Sequence, residues 1–141
     1  MRKLLIAVAL MSITAPLYAA NLAVSNAWVR LLPGDLPLAG YAHVVNDSAH
    51  EVTLVSVSSP DFATVQFHQS VDHAGMEEMV QLEQIRIAAG KTLDFAPGGY
   101  HLMLMDRKHP LAAGQHVALT LHFADGSRQT VQFVVRGATG K

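Results

Sequence analysis

Residues 115–135 read QHVALTLHFADGSRQTVQFVV, and this stretch decides the fold. On either side of Ala124-Asp125-Gly126-Ser127, apolar residues recur at every second position, as Val117, Leu119, Leu121 and Phe123 and then as Val131, Phe133 and Val135. Period-two alternation puts successive side chains on opposite faces of a strand, and Asp-Gly supplies the turn. The segment is therefore a β-hairpin with one face in the core. Working toward the N-terminus, the same pattern recurs at intervals near ten residues. Candidate strands are Val24 to Leu31, Leu38 to Val45, Glu51 to Ser58, Ala63 to Ser70, Met76 to Leu82, Thr92 to Phe95, His101 to Asp106, Gln115 to Phe123 and Arg128 to Val135. Turn signals such as Pro33-Gly34, Asn46-Asp47-Ser48, Ser59-Pro60-Asp61 and Pro97-Gly98-Gly99 separate them, and no long stretch has a helical period. The pattern predicts an all-β, single-domain antiparallel β-sandwich of cupredoxin or immunoglobulin type. Trp28, the single tryptophan, is expected to anchor the core, and Asn46-Asp47-Ser48 is read as a turn rather than a glycosylation site.

The N-terminus differs from everything that follows. Arg2 and Lys3 precede an apolar run from Leu4 to Ile13, then Pro16 and the small pair Ala19-Ala20. That order is the order of a secretory signal peptide, and Ser12, Thr14 and Pro16 interrupt it too early for a membrane-spanning helix. We assign residues 1–19 to the signal peptide and residues 20–141 to the β-sandwich domain, with no stable membrane insertion after cleavage and a periplasmic destination in a Gram-negative bacterium. With 141 residues, half of them apolar, the chain suits one compact core. A net charge of -1 leaves no basic surface for nucleic acid. The chain has no cysteine, so it has neither a disulfide nor a thiolate for catalysis, metal binding or a blue-copper centre.

The chemistry lies in methionine and histidine. Of the six methionines, Met1 and Met11 fall in the leader, and Met76, Met79, Met103 and Met105 cluster within about thirty residues. They interleave there with His68, His73 and His101, whereas core-filling methionines would scatter among the strands. A hairpin of Ala63 to Ser70 with Met76 to Leu82, closed by the turn Asp72-His73-Ala74-Gly75, would set Val71 opposite Met76 and His68 opposite Met79. Opposed residues on one face have Cβ atoms about 5 Å apart, so an imidazole and a thioether there can share one ion. His101 and Met103, two positions apart on another strand, project to one face together. Two imidazoles and two uncharged, soft thioethers select copper(I) over zinc or calcium. The expected cargo is one copper(I) ion held by His68, Met79, His101 and Met103.

The spacing His68, ten residues, Met79, twenty-one residues, His101, one residue, Met103 resembles the H(M)-x10-M-x21-H-x-M signature of the periplasmic copper chaperones called the PCu(A)C family. Pro97-Gly98-Gly99-Tyr100-His101-Leu102-Met103-Leu104-Met105 is similar to that family's most recognisable stretch, and the likeness runs from Trp28-Val29-Arg30 to the final strands. The resemblance implies a cupredoxin-like sandwich, copper(I) at those four positions, and delivery of copper to the dinuclear centre of cytochrome c oxidase. Many members carry Met directly after the first His, where this chain has Gln69. A strand turns that neighbour to the opposite face, so the change removes at most a secondary contact.

The remaining candidates are weaker. Met76 and Met105 are expected to pack beside the site, His73 to sit in a solvated turn, and His43, His50, His109, His116 and His122 show no ligand spacing. There is no Ser-His-Asp signature, HExxH or phosphate loop, so no enzyme is expected. The partner implied is a copper-accepting protein, either a cytochrome c oxidase subunit or its assembly factors, and such a carrier needs to be no more than a monomer. A periplasmic copper buffer for tolerance, and a non-metal exported interaction module, are the competing readings.

Overall fold

The computed structural model describes residues 21–141. The signal peptide assigned to residues 1–19 lies outside the described residues. Ten strands follow in order: β1 Ala23–Arg30, β2 Leu38–Val45, β3 Val52–Ser58, β4 Phe62–His73, β5 Met76–Leu82, β6 Ile85–Ile87, β7 Thr92–Phe95, β8 Tyr100–Arg107, β9 His116–Phe123 and β10 Arg128–Arg136. There is no helix among the described residues. Hydrogen bonding runs β5-β4-β8-β7-β2-β1-β10-β9-β3-β6, with β8 also paired to β2. The fold is the all-β, cupredoxin-like or immunoglobulin-like class expected. Pairing is antiparallel except where β1 runs parallel to β10 and where Phe95 of β7 meets Tyr100 of β8. The three-residue β6 is too short to announce itself as an alternating run.

One apolar cluster fills the interior. The hairpin quoted above contributes Val117, Leu119, Leu121, Phe123, Phe133 and Val135, all buried. Facing them come Leu38, Ala42 and Val44 from β2, Phe67 from β4 and Leu102 and Leu104 from β8. In each of these strands the intervening residues point outward, so Ala39 and Tyr41, Gln66 and His68, and His101 and Met103 share the outer face. That face carries the chemistry.

Two local features correct the sequence reading. In β1 the register to β2 shifts between Ser25 and Trp28, and Asn26 has a φ of 50°. The extra residue is a β-bulge. It reverses the alternation, so Val29 points inward and Trp28 outward, beside Tyr41. Trp28 is 9 % exposed, yet it is buried outside the main core. Its ring centroid lies 4.9 Å from that of Tyr41, and the guanidinium carbons of Arg30 and Arg136 sit 5.6 Å and 5.4 Å from its centroid. Asn46, fully buried, donates through Nδ2 to the carbonyls of His50 and Ile87 and accepts through Oδ1 from Ser48. It is the pin of a turn, as read.

The second correction is the β4–β5 hairpin. Its loop is the two residues Ala74-Gly75, with φ values of 52° and 84°, and β4 extends to His73. Two positive φ values in a two-residue loop match the twist of the flanking strands. Consequently His73 pairs with Met76, Ser70 with Met79 and His68 with Gln81. His68 does not face Met79, and Val71 faces Glu78 rather than Met76. The slip is two residues, which keeps each side chain on its expected face, and Met79 becomes a diagonal neighbour of His68.

Candidate metal centre

Strand β8 enters the sheet after the turn at Pro97-Gly98-Gly99. Gly98 takes a φ of 84°, which a side chain would resist, and Gly99 accepts a hydrogen bond from the Ser70 amide at 3.0 Å. The chain is thus committed to run between β4 and β2. On the β4 side His68 pairs with His101, Phe67 with Leu102 and Gln66 with Met103. On the β2 side Gly40 pairs with Leu102 and Ala39 with Met103. Gly40 has a reason to be glycine, because a Cβ there would lie 3.2 Å from that of Leu102. The close approach brings β2 flush against β8.

Being on an interior strand, His101 is 5 % exposed although it points away from the core. His68 lies against it with ring centroids 5.5 Å apart and planes tilted by 44°. His68 donates from Nε2 to the Gln66 side-chain oxygen at 2.9 Å, which assigns the lone pair to Nδ1. That Nδ1 is buried and has no hydrogen-bond partner. Buried polar atoms are nearly always paired, and an imidazole held by a hydrogen bond at one nitrogen presents the other as a ligand. Burial, and then the nearby His101, hold the pKa of His68 below the ordinary imidazole value. That shift favours the neutral ring, the form that binds metal.

The thioethers complete the patch unequally. Met103 is half-buried at the position facing Gln66, diagonal to His68. Met79 projects from the edge strand β5 at 58 % exposure, facing Ser70 and diagonal to His68 on its other side. Diagonal positions are about 7–8 Å apart between Cα atoms, within reach of a long side chain. His68, His101 and Met103 thus form a contiguous group, and Met79 stands one row away on the same face. Met105 is half-buried on this face, opposite Thr64. Gln69 pairs with Tyr100 and points away from the patch, as strand alternation requires. Met76 departs from expectation: it is 76 % exposed and on the opposite face, so it packs beside nothing in the site.

Other histidines have other partners. His43 meets Asp94, His109 meets Asp61 and Pro110, and His122 meets Ser58. Among the described residues no three His, Cys, Asp or Glu side chains gather as a metal-binding group. Gln66 escaped the sequence reading, although its i, i−2 relation to His68 places it on the same face as that histidine. Tyr41 was also missed. It extends the outer face beyond His101 toward Trp28, and burial raises its pKa against the opposing effect of Arg30.

Fold and site together define a class: a small all-β sandwich with two imidazoles and two thioethers gathered on the outer face of one sheet. The family then follows from comparison with known proteins. The chain belongs to the LpqE-like family, described as putative lipoprotein LpqE-like and matching residues 22–135, which is the family of PCuAC domains. It is 39 % identical over 118 residues to a putative lipoprotein of Leifsonia xyli subsp. xyli (strain CTCB07), covering 83 % of this chain and 70 % of that one. It is 31 % identical over 96 residues to an uncharacterized protein of Rickettsia prowazekii (strain Madrid E), covering 67 % of this chain and 53 % of that one. Among solved structures, the copper-bound PCuAC domain from PmoF2 aligns with a TM-score of 0.70 at 28 % identity, over 85 % of this chain and 97 % of that one. The copper(I) form of DR1885 from Deinococcus radiodurans aligns with a TM-score of 0.65 at 28 % identity, over 84 % and 78 % of the two chains.

Proposed function

We propose that this protein is an exported copper(I) carrier, not an enzyme, that binds one ion through His68, Met79, His101 and Met103. The observation that carries the reading is the buried, unpartnered Nδ1 of a neutral His68, set against His101 on the face that also holds Met103 and Met79. Thioethers need no deprotonation and cannot be locked into a disulfide, so the donor set suits an oxidising compartment. The copper-bound relatives support the choice of metal, and the lipoprotein relatives support export. Residues 20–141 act as one monomeric domain in the periplasm.

Ion transfer proceeds by ligand exchange. His68 and His101 are fixed in the sheet, while Met79 stands exposed on its edge. An acceptor approaching from that edge replaces Met79 first, and the ion then passes through a shared intermediate in which it is never free. The acceptor we assign is the copper centre of cytochrome c oxidase or an assembly factor for it. Anaerobic copper(I) titration with X-ray absorption tests the site: two nitrogen and two sulfur neighbours per ion are expected, and undiminished affinity in both His101→Ala and Met103→Ala would overturn it. A null strain tests delivery. Loss of oxidase assembly under copper scarcity supports it, whereas copper sensitivity with a normal oxidase would make the protein a buffer.

A further inference from the structure

The register of the β4–β5 hairpin leaves a second imidazole–thioether pair on the other face of the sheet. His73 and Met76 are directly opposed across the two-residue turn. The turn is rigidly specified, with positive φ at both Ala74 and Gly75 and the Gly75 amide donating to the Asp72 carboxylate at 2.9 Å. Cross-strand partners beside such a turn have Cβ atoms about 5 Å apart, the spacing at which one ring nitrogen and one sulfur reach a common ion. Nothing in the packing explains Met76. At 76 % exposure it is the most exposed of the large apolar side chains described, at a tip where a polar residue would cost the fold nothing. The His73 side chain is 68 % exposed, with its Nε2 3.8 Å from the Glu78 carboxylate, beyond hydrogen-bond range. Alternation along both strands puts His73, Met76 and Glu78 opposite the face of His68 and Met79.

We propose that His73 and Met76 form a second copper(I) site at the hairpin tip, a two-coordinate nitrogen–sulfur landing point separate from the four-residue centre. Copper(I) accepts linear coordination by one imidazole and one thioether, and both donors here are soft or borderline and uncharged. Glu78 adds negative charge beside the pair, which favours the arrival of a cation without requiring a hard oxygen to ligate it. With two donors instead of four and full access to solvent, the tip binds more weakly than the main centre and exchanges faster. It therefore fills second at equilibrium and first on encounter. The site depends on no residue of the main centre.

Titrating the protein anaerobically with copper(I), supplied as its acetonitrile complex, and following the methionine methyl and histidine ring signals by NMR tests this directly. The expected result is a second equivalent that shifts the Met76 methyl and the His73 ring. It should persist in His101→Ala/Met103→Ala and vanish in His73→Asn/Met76→Leu, whose exposed positions leave the fold intact. Saturation at one equivalent with the Met76 methyl unmoved, or a second equivalent that survives His73→Asn/Met76→Leu, would overturn the site. Because the main-centre variant is a separate arm, failure of the four-residue assignment is read independently.

Discussion

His68 and His101 occupy facing positions on β4 and β8, with ring centroids 5.5 Å apart on the outer face of a sheet whose inner face is sealed by Phe67 and Leu102. The pair is placed by the core rather than by a loop. Each imidazole adjoins in sequence a residue buried in the apolar cluster, Phe67 before His68 and Leu102 after His101, so the two rings cannot drift apart without disturbing that cluster. As the proposed ligands, two imidazoles preorganised in this way would spare the ion the entropy of assembling them.

The hydrogen bond from His68 Nε2 to Gln66 makes Gln66 a positioning residue, and its removal should be felt at the metal. Gln66→Leu is expected to weaken copper(I) binding by about 10-fold or more, the usual consequence of losing an outer partner of a ligating imidazole. Gln66→Glu, which still accepts the hydrogen bond, should restore binding. Competition against a chromophoric copper(I) chelator measures both. Equal affinities for Gln66→Leu and the parent would mean that Nδ1 is not the ligating nitrogen.

Met79 and Met103 should separate stability from binding. Met79 lies exposed on the edge strand and contributes little to packing, so Met79→Ala should leave the unfolding midpoint in place while lowering copper(I) affinity by about 10-fold, or about 1.4 kcal/mol. Met103, half-buried between β4 and β2, should lose affinity and some stability together when changed to Ala. Paired denaturation and copper titrations distinguish the two.

The sandwich was legible because burial imposes period two on β9 and β10, and that pattern is written in residues 115–135 without ambiguity. The shared face of His101 and Met103 was legible for the same reason, since one residue separates them. Hairpin register was not. A two-residue turn with positive φ at Ala74 uses a residue that gives no turn signal, so the sequence points instead to a four-residue turn led by Asp72, two residues out of register. An even slip spared the face assignment. The side chosen by Trp28 was hidden by the bulge at Asn26, because an inserted residue inverts every later position of a strand and leaves no trace in composition. The partner of His68, Gln66, depends on a rotamer rather than on spacing.

Gln69 makes a sharper test of alternation. It pairs with Tyr100 and Val80 and faces away from His68, His101 and Met103. Gln69→Met, which places a thioether directly after His68, should therefore leave both copper(I) affinity and the sulfur count by X-ray absorption unchanged. A third sulfur neighbour would show that β4 rotates or frays when the ion binds.

The contact of His109 with Asp61 ties the loop after β8 to the start of β4, supported by the Lys108 amide donating to the Asp61 carbonyl at 2.9 Å. The hydrogen bond to Asp61 is the main cause that raises the pKa of His109 above the ordinary value, with Pro110 and the Asp61 charge adding to it. A raised folded-state pKa means that the native protein holds its proton more tightly than the unfolded chain does. The contribution is therefore fully present below about pH 6.5, the unfolded value, and is lost as the pH rises through the folded value. His109→Gln should remove this slope from a plot of stability against pH while leaving the curve above it unaltered.

Trp28 offers the test of the outer cluster. Its ring is covered by Tyr41, Arg30 and Arg136, and a Cβ on Gly140 would lie 3.2 Å from it, so the C-terminal segment closes the last side. Truncation to alanine removes a large buried side chain and both cation–π contacts, for an expected loss of about 3–5 kcal/mol in urea denaturation. Tyr41 packs against Trp28 and shares the outer face with His101, so a loss at the candidate metal site would be passed on through that ring. Trp28→Phe, which keeps an aromatic face for the guanidinium groups, should recover most of the stability and all of the copper(I) affinity. If Trp28→Phe instead binds copper(I) as poorly as Trp28→Ala, the indole itself supports the site and the two halves of the outer face act as one unit.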